Sequence, residues 1–198
     1  MGTRNLTVVI YNDKIKVAQY GQWDGYPEGQ GRTILKFLHA MMQEEFVEVL
    51  KHVRFMQDDD REVLQAYLTS IGAKDGWCTL EQAKLLDEKY PLLNRDVGGF
   101  ILALICQQTA QEIILENAYT FAADSLFCEW AYVIDLDTNV FEVYKGFNKK
   151  KLSKKDRFYS LQKDKDVNNG YYPVKMVKSY PLKNLPRVKF FLNDLENQ

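Results

Sequence analysis

Residues 6–20 read LTVVIYNDKIKVAQY and contain two runs of β-branched and aromatic residues on either side of a short polar break. Such runs are typical of β-strands, and a break made of Asn12, Asp13 and Lys14 is typical of a tight turn. The sequence therefore predicts that the chain opens with a β-hairpin. Together with strands predicted near the other end of the chain, this hairpin decides the fold class.

A helical region is predicted over about residues 32–110. Apolar residues recur at helical spacing through residues 34–53, as they do on the buried face of an amphipathic helix. The acidic triplet at 58–60 supplies N-cap and first-turn carboxylates for a further helix, and no neighbouring ligands suggest a metal site there. Thr79 and Gln82 have the spacing of a capping box that opens another helix.

Strands return in the last third of the chain. Residues 126–136 and 140–144 form a second hairpin candidate, residues 172–180 give a further strand, and residues 149–170 are polar, basic and loop-like. Strands at both ends around a helical middle predict an α+β fold. We expect a single domain over residues 1–198, with a largely antiparallel sheet built from the N-terminal and C-terminal strands.

The composition excludes several classes of protein. A chain of 198 residues, 46% of them hydrophobic, can bury a core that needs no disulfide or structural metal. The cysteines Cys78, Cys106 and Cys128 are odd in number and match no zinc or redox spacing, which favours reduced thiols. No apolar run is long enough for a membrane span, and the start lacks signal-peptide order. We expect a cytoplasmic protein without membrane partners.

The net charge of −1 conceals a strong asymmetry along the chain. Residues 145–189 hold 14 basic and 3 acidic residues, a net charge of +11, and the rest of the chain has a net charge of −12. The basic strands and loops either lie against the acidic helical part or face water. Alternatively, they form a positive surface that attracts an anionic ligand. Sequence-specific binding of nucleic acid is not expected, because the remaining surface would repel phosphates.

The connection between the second strand and the first helix is the candidate binding site. Such connections usually take about two to six residues, whereas residues 19–31 read QYGQWDGYPEGQG. Aromatic rings offer stacking faces for a planar heterocycle, and the glycine-rich helix start offers backbone N–H groups. We expect this loop to form one wall of a ligand pocket that needs no cofactor or metal ion. Alternatively, the rings plug the sheet edge and the glycines only permit tight turns. The candidate ligand-binding residues are Arg4, Gln19, Tyr20, Gln22, Trp23, Asp24, Tyr26, Glu28, Gly29, Gln30, Gly31, Arg32, Asp124 and Glu129.

Glu129 is a candidate for acid or base chemistry. It falls within residues 126–133, where an extended chain would have two mostly apolar faces, so its carboxylate would be partly desolvated. A structural glutamate bonded to the loop amides or to Arg4 is an equally good interpretation. Asp124 would line the same cleft.

Three stretches of the chain resemble a family of proteins found in phages and some fungi: MGTR at 1–4, AQYGQWDGYPEGQG at 18–31 and ADSLFCEWAYVID at 123–135. The chain has a fainter similarity to N-terminal-nucleophile (Ntn) hydrolases with cysteine at the second position, which implies an Ntn-hydrolase-like fold. Such enzymes need Ser, Thr or Cys as their first residue. Here Gly2 replaces that cysteine, and Thr3 follows one residue later.

These observations lead to three hypotheses of function. In the first, a phage-type protein binds and sequesters a nucleotide-derived immune signalling ligand in the host cytoplasm. In the second, an Ntn-like or carboxylate-dependent hydrolase cleaves an amide or phosphodiester with Thr3 or Glu129. In the third, an inhibitor binds a host protein through a basic surface at residues 149–151. A homo-oligomer is compatible with each of them.

Overall fold

The structure is a computed structural model that describes residues 2–74, 77–163 and 170–196. Its helices and strands, in chain order, are β1 (Asn5–Tyr11), β2 (Lys14–Gly21), α1 (Arg32–Ala40), α2 (Gln43–Lys51), β3 (Val53–Phe55), α3 (Asp58–Ser70), α4 (Leu80–Lys89), α5 (Ile101–Cys106), β4 (Ile113–Leu115), β5 (Trp130–Asp135), β6 (Val140–Lys145), β7 (Lys175–Pro181) and α6 (Val188–Leu195).

The main sheet has five strands in the order β2-β1-β5-β6-β7. Strand β1 pairs antiparallel with β2 and parallel with β5, and the pairs β5–β6 and β6–β7 are antiparallel. Both predicted hairpins and the largely antiparallel α+β sheet are therefore confirmed. The helical middle of the chain connects Gly21, at the end of β2, to Trp130, at the start of β5, and both residues pair with Asn5, so this connection begins and ends at the same end of the sheet.

The two hairpin turns lie side by side at one end of the sheet. Asn12 and Asp13 have φ angles of 53° and 54°, the left-handed conformation that a two-residue hairpin turn requires and that Asn and Asp tolerate. Their backbone N–H groups both donate to the carboxylate of Asp137, at 2.8 Å each. The turn of β5–β6 thereby caps the turn of β1–β2.

The sheet is covered on both faces. On one face, helices α1, α2, α5 and α6 bury a core that includes Tyr132, Phe141 and Phe191. On the other face, connecting segments bury a second core that includes Leu6 and Phe158. Strands β2 and β7 form the two edges, and β7 exposes Lys175, Met176, Ser179 and Pro181. Because both faces are covered, ligands can reach the sheet only at its ends or edges.

Some boundaries differ from the sequence prediction. The strand predicted from residue 126 begins at Trp130, because the N–H groups of Phe127 and Cys128 both donate to the carbonyl of Asp124 and form a turn. The apolar run at 34–53 is not one helix, since Met41 and Met42 have extended backbone angles that separate α1 from α2. The short parallel pair β3–β4 and helix α6 were not predicted. Of the predicted loop at 149–170, residues 164–169 lie outside the described residues.

The capping box of α4 is confirmed, whereas the prediction that the acidic triplet supplies the N-cap of α3 was wrong. Thr79 Oγ1 accepts from the N–H of Gln82 at 3.3 Å, and the Gln82 side chain accepts from the N–H of Thr79 at 2.8 Å. The acidic triplet at 58–60 occupies the first turn of α3, although Gln57 is the N-cap. Among the described residues, no group of three or more His, Cys, Asp or Glu side chains is arranged to hold a metal ion. Nor does any described helix combine the length and apolarity that a membrane span requires.

Arg157 joins the lysine-rich segment between β6 and β7 to the sheet by two ion pairs. Its guanidinium contacts Asp135 Oδ2 and Glu142 Oε2 at 2.7 Å each, and all three side chains are largely shielded from water. Burial alone would raise the pKa of Asp135, but hydrogen bonds from Thr138 and Arg157 outweigh it and lower the pKa below its ordinary 3.8. The folded state therefore holds this carboxylate in its charged form.

We expect Arg157→Met to lower the free energy of unfolding by about 3–5 kcal/mol, because it leaves two shielded carboxylates without their cation. The matched control, Arg61→Met, removes an exposed ion pair with Glu116 and should change the free energy of unfolding by about 1 kcal/mol or less. Urea denaturation measures both. Because the pKa of Asp135 is lowered on folding, its stabilising contribution is present above the ordinary value of 3.8 and is lost as the pH falls further. The loss of unfolding free energy caused by Arg157→Met should become smaller in the same pH range. A loss that is independent of pH would contradict this account.

Candidate functional site

The candidate site lies at the end of the sheet opposite the hairpin turns. Four strand ends meet there side by side, since Asn5 pairs with both Gly21 and Trp130, and Trp130 pairs with Lys145. With a spacing of about 4.8 Å between strands, the ends of β2 and β6 are about 14 Å apart. We call the surface beyond these strand ends the sheet-end surface. The loop at residues 22–31 and the turns at 124–129 and 146–149 form it.

The loop backbone is bonded to the sheet at successive positions. The N–H of Gly25 donates to the carbonyl of Thr3 at 2.9 Å, and the carbonyl of Gly25 accepts from the buried Tyr132 hydroxyl at 2.8 Å. The side-chain amide of Asn5 donates to the carbonyl of Trp23 at 3.2 Å. A Cβ atom on Gly25 would lie 2.7 Å from the Thr3 carbonyl, so only glycine allows this close approach.

A second set of bonds joins the loop to residues 94–99. The Arg95 guanidinium donates to Gln22 Oε1 at 2.6 Å, and the N–H of Gln22 donates to the Arg95 carbonyl at 3.0 Å. Gln30 Oε1 accepts from the N–H of Gly99 at 2.7 Å, and Gln19 Nε2 donates to the Asn94 carbonyl at 3.3 Å. The three glutamines that the sequence assigned to a ligand therefore hold the loop in place instead.

The backbone N–H groups before α1 were expected to bind an anion, but they are hydrogen-bonded to carbonyls of the same loop. Residues Pro27–Gly31 form a π-helical turn that leads directly into α1. The N–H groups of Gly29 and Gly31 donate to the carbonyl of Tyr26, and the N–H of Gln30 donates to the carbonyl of Asp24. The prediction that these N–H groups point to a ligand was wrong, because the glycines close the turn on itself.

What the loop presents to solvent is a pair of aromatic rings flanked by charges. The Trp23 and Tyr26 side chains are 50% and 51% exposed, and Asp24, Glu28 and Arg32 are exposed beside them. The ring of Trp23 lies against the backbone of the second residue of the chain, where glycine leaves room for it. The carbonyls of Trp23 and Tyr26 are hydrogen-bonded within the folded loop while their rings stay half-exposed.

Tyr20, the third predicted stacking residue, has a different role. Its ring packs edge-on against Phe121 with centroids 5.0 Å apart, and its hydroxyl donates to Gln22 Oε1. This places the ring in the packing of the sheet rather than on the sheet-end surface.

The second part of the sheet-end surface combines cations with aromatic rings. The guanidinium of Arg4 lies 4.8 Å from the centroid of the half-exposed Phe127 ring. The half-exposed Phe147 ring contacts Tyr171 with centroids 6.2 Å apart, and Lys149 Nζ lies 5.6 Å from the Tyr171 centroid. The sequence indicated Arg4 as a ligand-binding residue and residues 149–151 as a basic surface, but Phe147 and Tyr171 were missed. The available signal was an aromatic residue two positions before three consecutive lysines, just after a strand.

Two residues of this surface have a left-handed backbone conformation. Asp24 and Phe147 have φ angles of 56° and 53°, which an aspartate tolerates and a phenylalanine does not. For a bulky aromatic residue this conformation is a genuine outlier, and such outliers concentrate at functional sites. A backbone bond from the N–H of Phe147 to the Ser125 carbonyl at 2.6 Å holds it.

The candidate reactive residues are Thr3 and Glu129, and the backbones of both are hydrogen-bonded to segments of the sheet-end surface. Thr3 is only 6% exposed, and its carbonyl is committed to Gly25. Glu129 is half-buried just before β5, where its N–H donates to the Arg4 carbonyl at 3.2 Å and its carbonyl accepts from Gly146 at 2.8 Å. Asp124 is also half-buried in the preceding turn. Glu129 and Asp124 can contribute charge to the sheet-end surface, whereas the Thr3 hydroxyl is shielded.

The expected role of the loop as a pocket wall stays a prediction. Three cavities of about 270, 630 and 340 Å³ in the described part of the chain are lined by residues elsewhere: one by Tyr90 and its neighbours, one by Arg157 and its neighbours, and one by Met41 and its neighbours. The sheet-end surface itself presents exposed rings and charges to solvent.

No family model, curated protein or solved structure matches the chain. Function is therefore inferred from the chemistry and geometry of its own residues.

We expect Tyr132→Phe to loosen the loop, because it leaves the Gly25 carbonyl without its buried donor at a cost of about 1–3 kcal/mol. Hydrogen–deuterium exchange should become faster at the amides of residues 22–31. The matched control is Tyr180→Phe, which removes a hydroxyl bonded to Asp194 on the edge strand β7. Unchanged loop exchange in Tyr132→Phe, or the same acceleration in the control, would show that this bond does not hold the loop.

Proposed function

We propose that this protein binds a small, planar, anionic ligand of nucleotide type on the sheet-end surface and holds it without chemical change. The observation that supports this proposal is the presentation of Trp23 and Tyr26, two half-exposed rings on a backbone bonded to the sheet and to residues 94–99. A soluble chain gains no stability from exposing such rings, whereas stacking on a base uses them directly.

The rigidity of the loop favours binding because the loop has little conformational freedom left to lose when a ligand binds. Association costs free energy for each side chain and loop that it orders, and a preorganised surface reduces that cost. The loop is held by Asn5, Tyr132, Arg95 and Gly99 before any ligand arrives.

Stacking alone is insufficient for useful affinity, so charges must contribute. One stacked base is worth about 1–3 kcal/mol, whereas micromolar affinity requires about 8 kcal/mol. Arg4 and Lys149 lie over aromatic rings of the same surface, and exposed Arg32 begins the helix beside the loop. Cations next to stacking faces suit a ligand that joins a heterocycle to phosphate groups.

The burial of Thr3, the candidate nucleophile, favours binding without catalysis over hydrolysis. A side chain that attacks a substrate must be reachable, and Thr3 is shielded beneath the loop. An Ntn-hydrolase-like fold and a hydrolytic role for Glu129 remain alternative proposals. The resemblance to phage proteins supports sequestration of a nucleotide-derived immune signal in the host cytoplasm as the biological role.

A second candidate function is inhibition of a host protein. Exposed Trp, Tyr and Arg side chains are the residues that dominate protein–protein hot spots, and the sheet-end surface is open enough for a flat partner. In that case charge reversal of Lys149, Lys150 and Lys151 should abolish capture of the partner, while Trp23→Ala should have little effect.

We expect Trp23→Ala to weaken nucleotide binding by about 5-fold to 150-fold, the loss of one stacking contact. AMP, ATP and ADP-ribose are titrated into the purified protein, with isothermal calorimetry and tryptophan fluorescence as readouts. The matched control is Trp77→Ala, which removes another exposed tryptophan far along the chain and should leave nucleotide affinity unchanged.

The bound nucleotide is then released and identified by mass spectrometry. Recovery of the unaltered compound agrees with sequestration, and recovery of a cleaved product would favour the hydrolase alternative. If none of the three nucleotides binds, or if Trp23→Ala and Trp77→Ala behave alike, the sheet-end surface is not the nucleotide site.

A further inference from the structure

One arginine lies between two half-exposed aromatic rings on the sheet-end surface. Trp23 follows β2, Phe127 precedes β5, and Arg4 directly precedes β1, the strand between β2 and β5. Since neighbouring strands are about 4.8 Å apart, the segments that carry the two rings are about 10 Å apart. The Trp23 and Phe127 side chains are 50% and 43% exposed. Each ring therefore offers a stacking face, one on either side of a cation.

The Trp23 ring and the Arg4 side chain lie on the same face of the N-terminal segment. The carbonyl of Thr3 accepts from the N–H of Gly25, and the carbonyl of Arg4 accepts from the N–H of Glu129. Because these two donors belong to segments on opposite sides of β1, the backbone alternates as an extended strand does, and every second residue points to the same face, about 7 Å apart. The Trp23 ring lies where a Cβ atom of the second residue would be, so it adjoins Arg4 on that face.

The guanidinium of Arg4 is held against a ring without being neutralised. It lies 4.8 Å from the centroid of the Phe127 ring, and within the described ranges it takes part in no ion pair. A guanidinium that stacks on an aromatic face still presents its N–H groups to an anion, and it binds a phosphate through two parallel hydrogen bonds. Arg4 is therefore suited to a phosphate group located between the two rings.

The other charges near the two rings are mostly negative. Within residues 22–31 and 124–129, the charged side chains are Asp24, Glu28, Asp124 and Glu129. Arg32 follows Glu28 at helical i+4 spacing and offsets one of these charges. Lys149 follows β6 and lies next to Tyr171. A ligand with one central negative charge and two uncharged ends fits this pattern, because a further phosphate at either end would face carboxylates.

We propose that the ligand of the sheet-end surface is a dinucleotide in which a single phosphodiester joins two nucleosides. One base stacks on Trp23, the other stacks on Phe127, and the phosphate is bound by Arg4. This inference rests on the proposed function and specifies the class of its ligand. Bases that are splayed apart and stacked on separate aromatic side chains are a common form of nucleotide recognition. The carboxylates at both ends favour a free dinucleotide over a segment of a longer strand, whose additional phosphates they would repel.

Isothermal titration calorimetry tests for the second base. Adenylyl-(3′→5′)-adenosine (ApA) is compared with the methyl ester of AMP, which carries the same single charge but only one base. We expect ApA to bind about 5-fold to 150-fold more tightly, the contribution of a second stacked base. Phe127→Ala should abolish this preference, whereas Phe127→Tyr, which keeps an aromatic face, should retain it. The matched control is Trp77→Ala, which removes an exposed ring from α4's approach and should leave both affinities unchanged.

A change in the ligand tests the role of Arg4. ApA with a methylphosphonate linkage has no charge between its two bases, and the wild-type protein should bind it at least about 10-fold more weakly than ApA, as expected for a lost hydrogen bond to a charged group. Arg4→Met should bind the two compounds alike. Addition of phosphates at both ends of the ligand, in pApAp, should weaken binding to the wild-type protein because these phosphates resemble those of a strand segment and meet the carboxylates.

The outcomes separate this inference from the proposed function. If the methyl ester binds in a manner that depends on Trp23 but ApA binds no more tightly, the dinucleotide assignment is overturned and nucleotide binding stands. A preference for ApA that persists in Phe127→Ala, or a preference for the charged linkage that persists in Arg4→Met, would also overturn the assignment. Binding of pApAp as tight as that of ApA would point to a nucleic acid strand instead. If neither the methyl ester nor ApA binds, both proposals are wrong.

Discussion

The parallel pairing of β1 with β5 is the constraint on which the remaining structure depends. It brings two segments more than a hundred residues apart into register at the centre of the sheet. Two consequences follow at the sheet end: the Arg4 carbonyl meets the N–H of Glu129, and Tyr132 lies beneath Gly25. Strand β2 returns the chain to this end of the sheet, so the helical middle of the chain begins and ends beside the start of β1.

Much of the fold could be predicted because its determinants are local. Both hairpins follow from alternating β-branched runs around short polar turns, and the capping box at Thr79 and Gln82 lies within four residues of sequence. The separation of α1 from α2 was missed, since Met41 and Met42 continue the apolar pattern while their backbones are extended. Periodicity detects a buried face but not a break in the helix that carries it.

The candidate site was predicted in position but only partly in chemistry. The loop was identified from its excess of aromatic and polar residues, and Trp23 and Tyr26 do reach the surface. Its amides were misassigned because their partners, Asn94, Arg95 and Gly99, are distant in sequence. A side chain's partners come from tertiary structure, so a polar residue that faces a ligand and one that holds a loop look the same in a sequence.

The uncovered edge formed by β7 bears on how copies of this protein can meet. Unpaired strand edges invite neighbouring sheets to join by main-chain hydrogen bonds, a route that leads to fibres. The exposed Lys175 lies on this edge, whereas Lys178 is paired with Asp194, and a lysine on an edge strand opposes pairing with another sheet. Extension of the sheet from one molecule to the next is therefore disfavoured. Association is restricted to contacts between side chains, and the sheet stays limited to five strands.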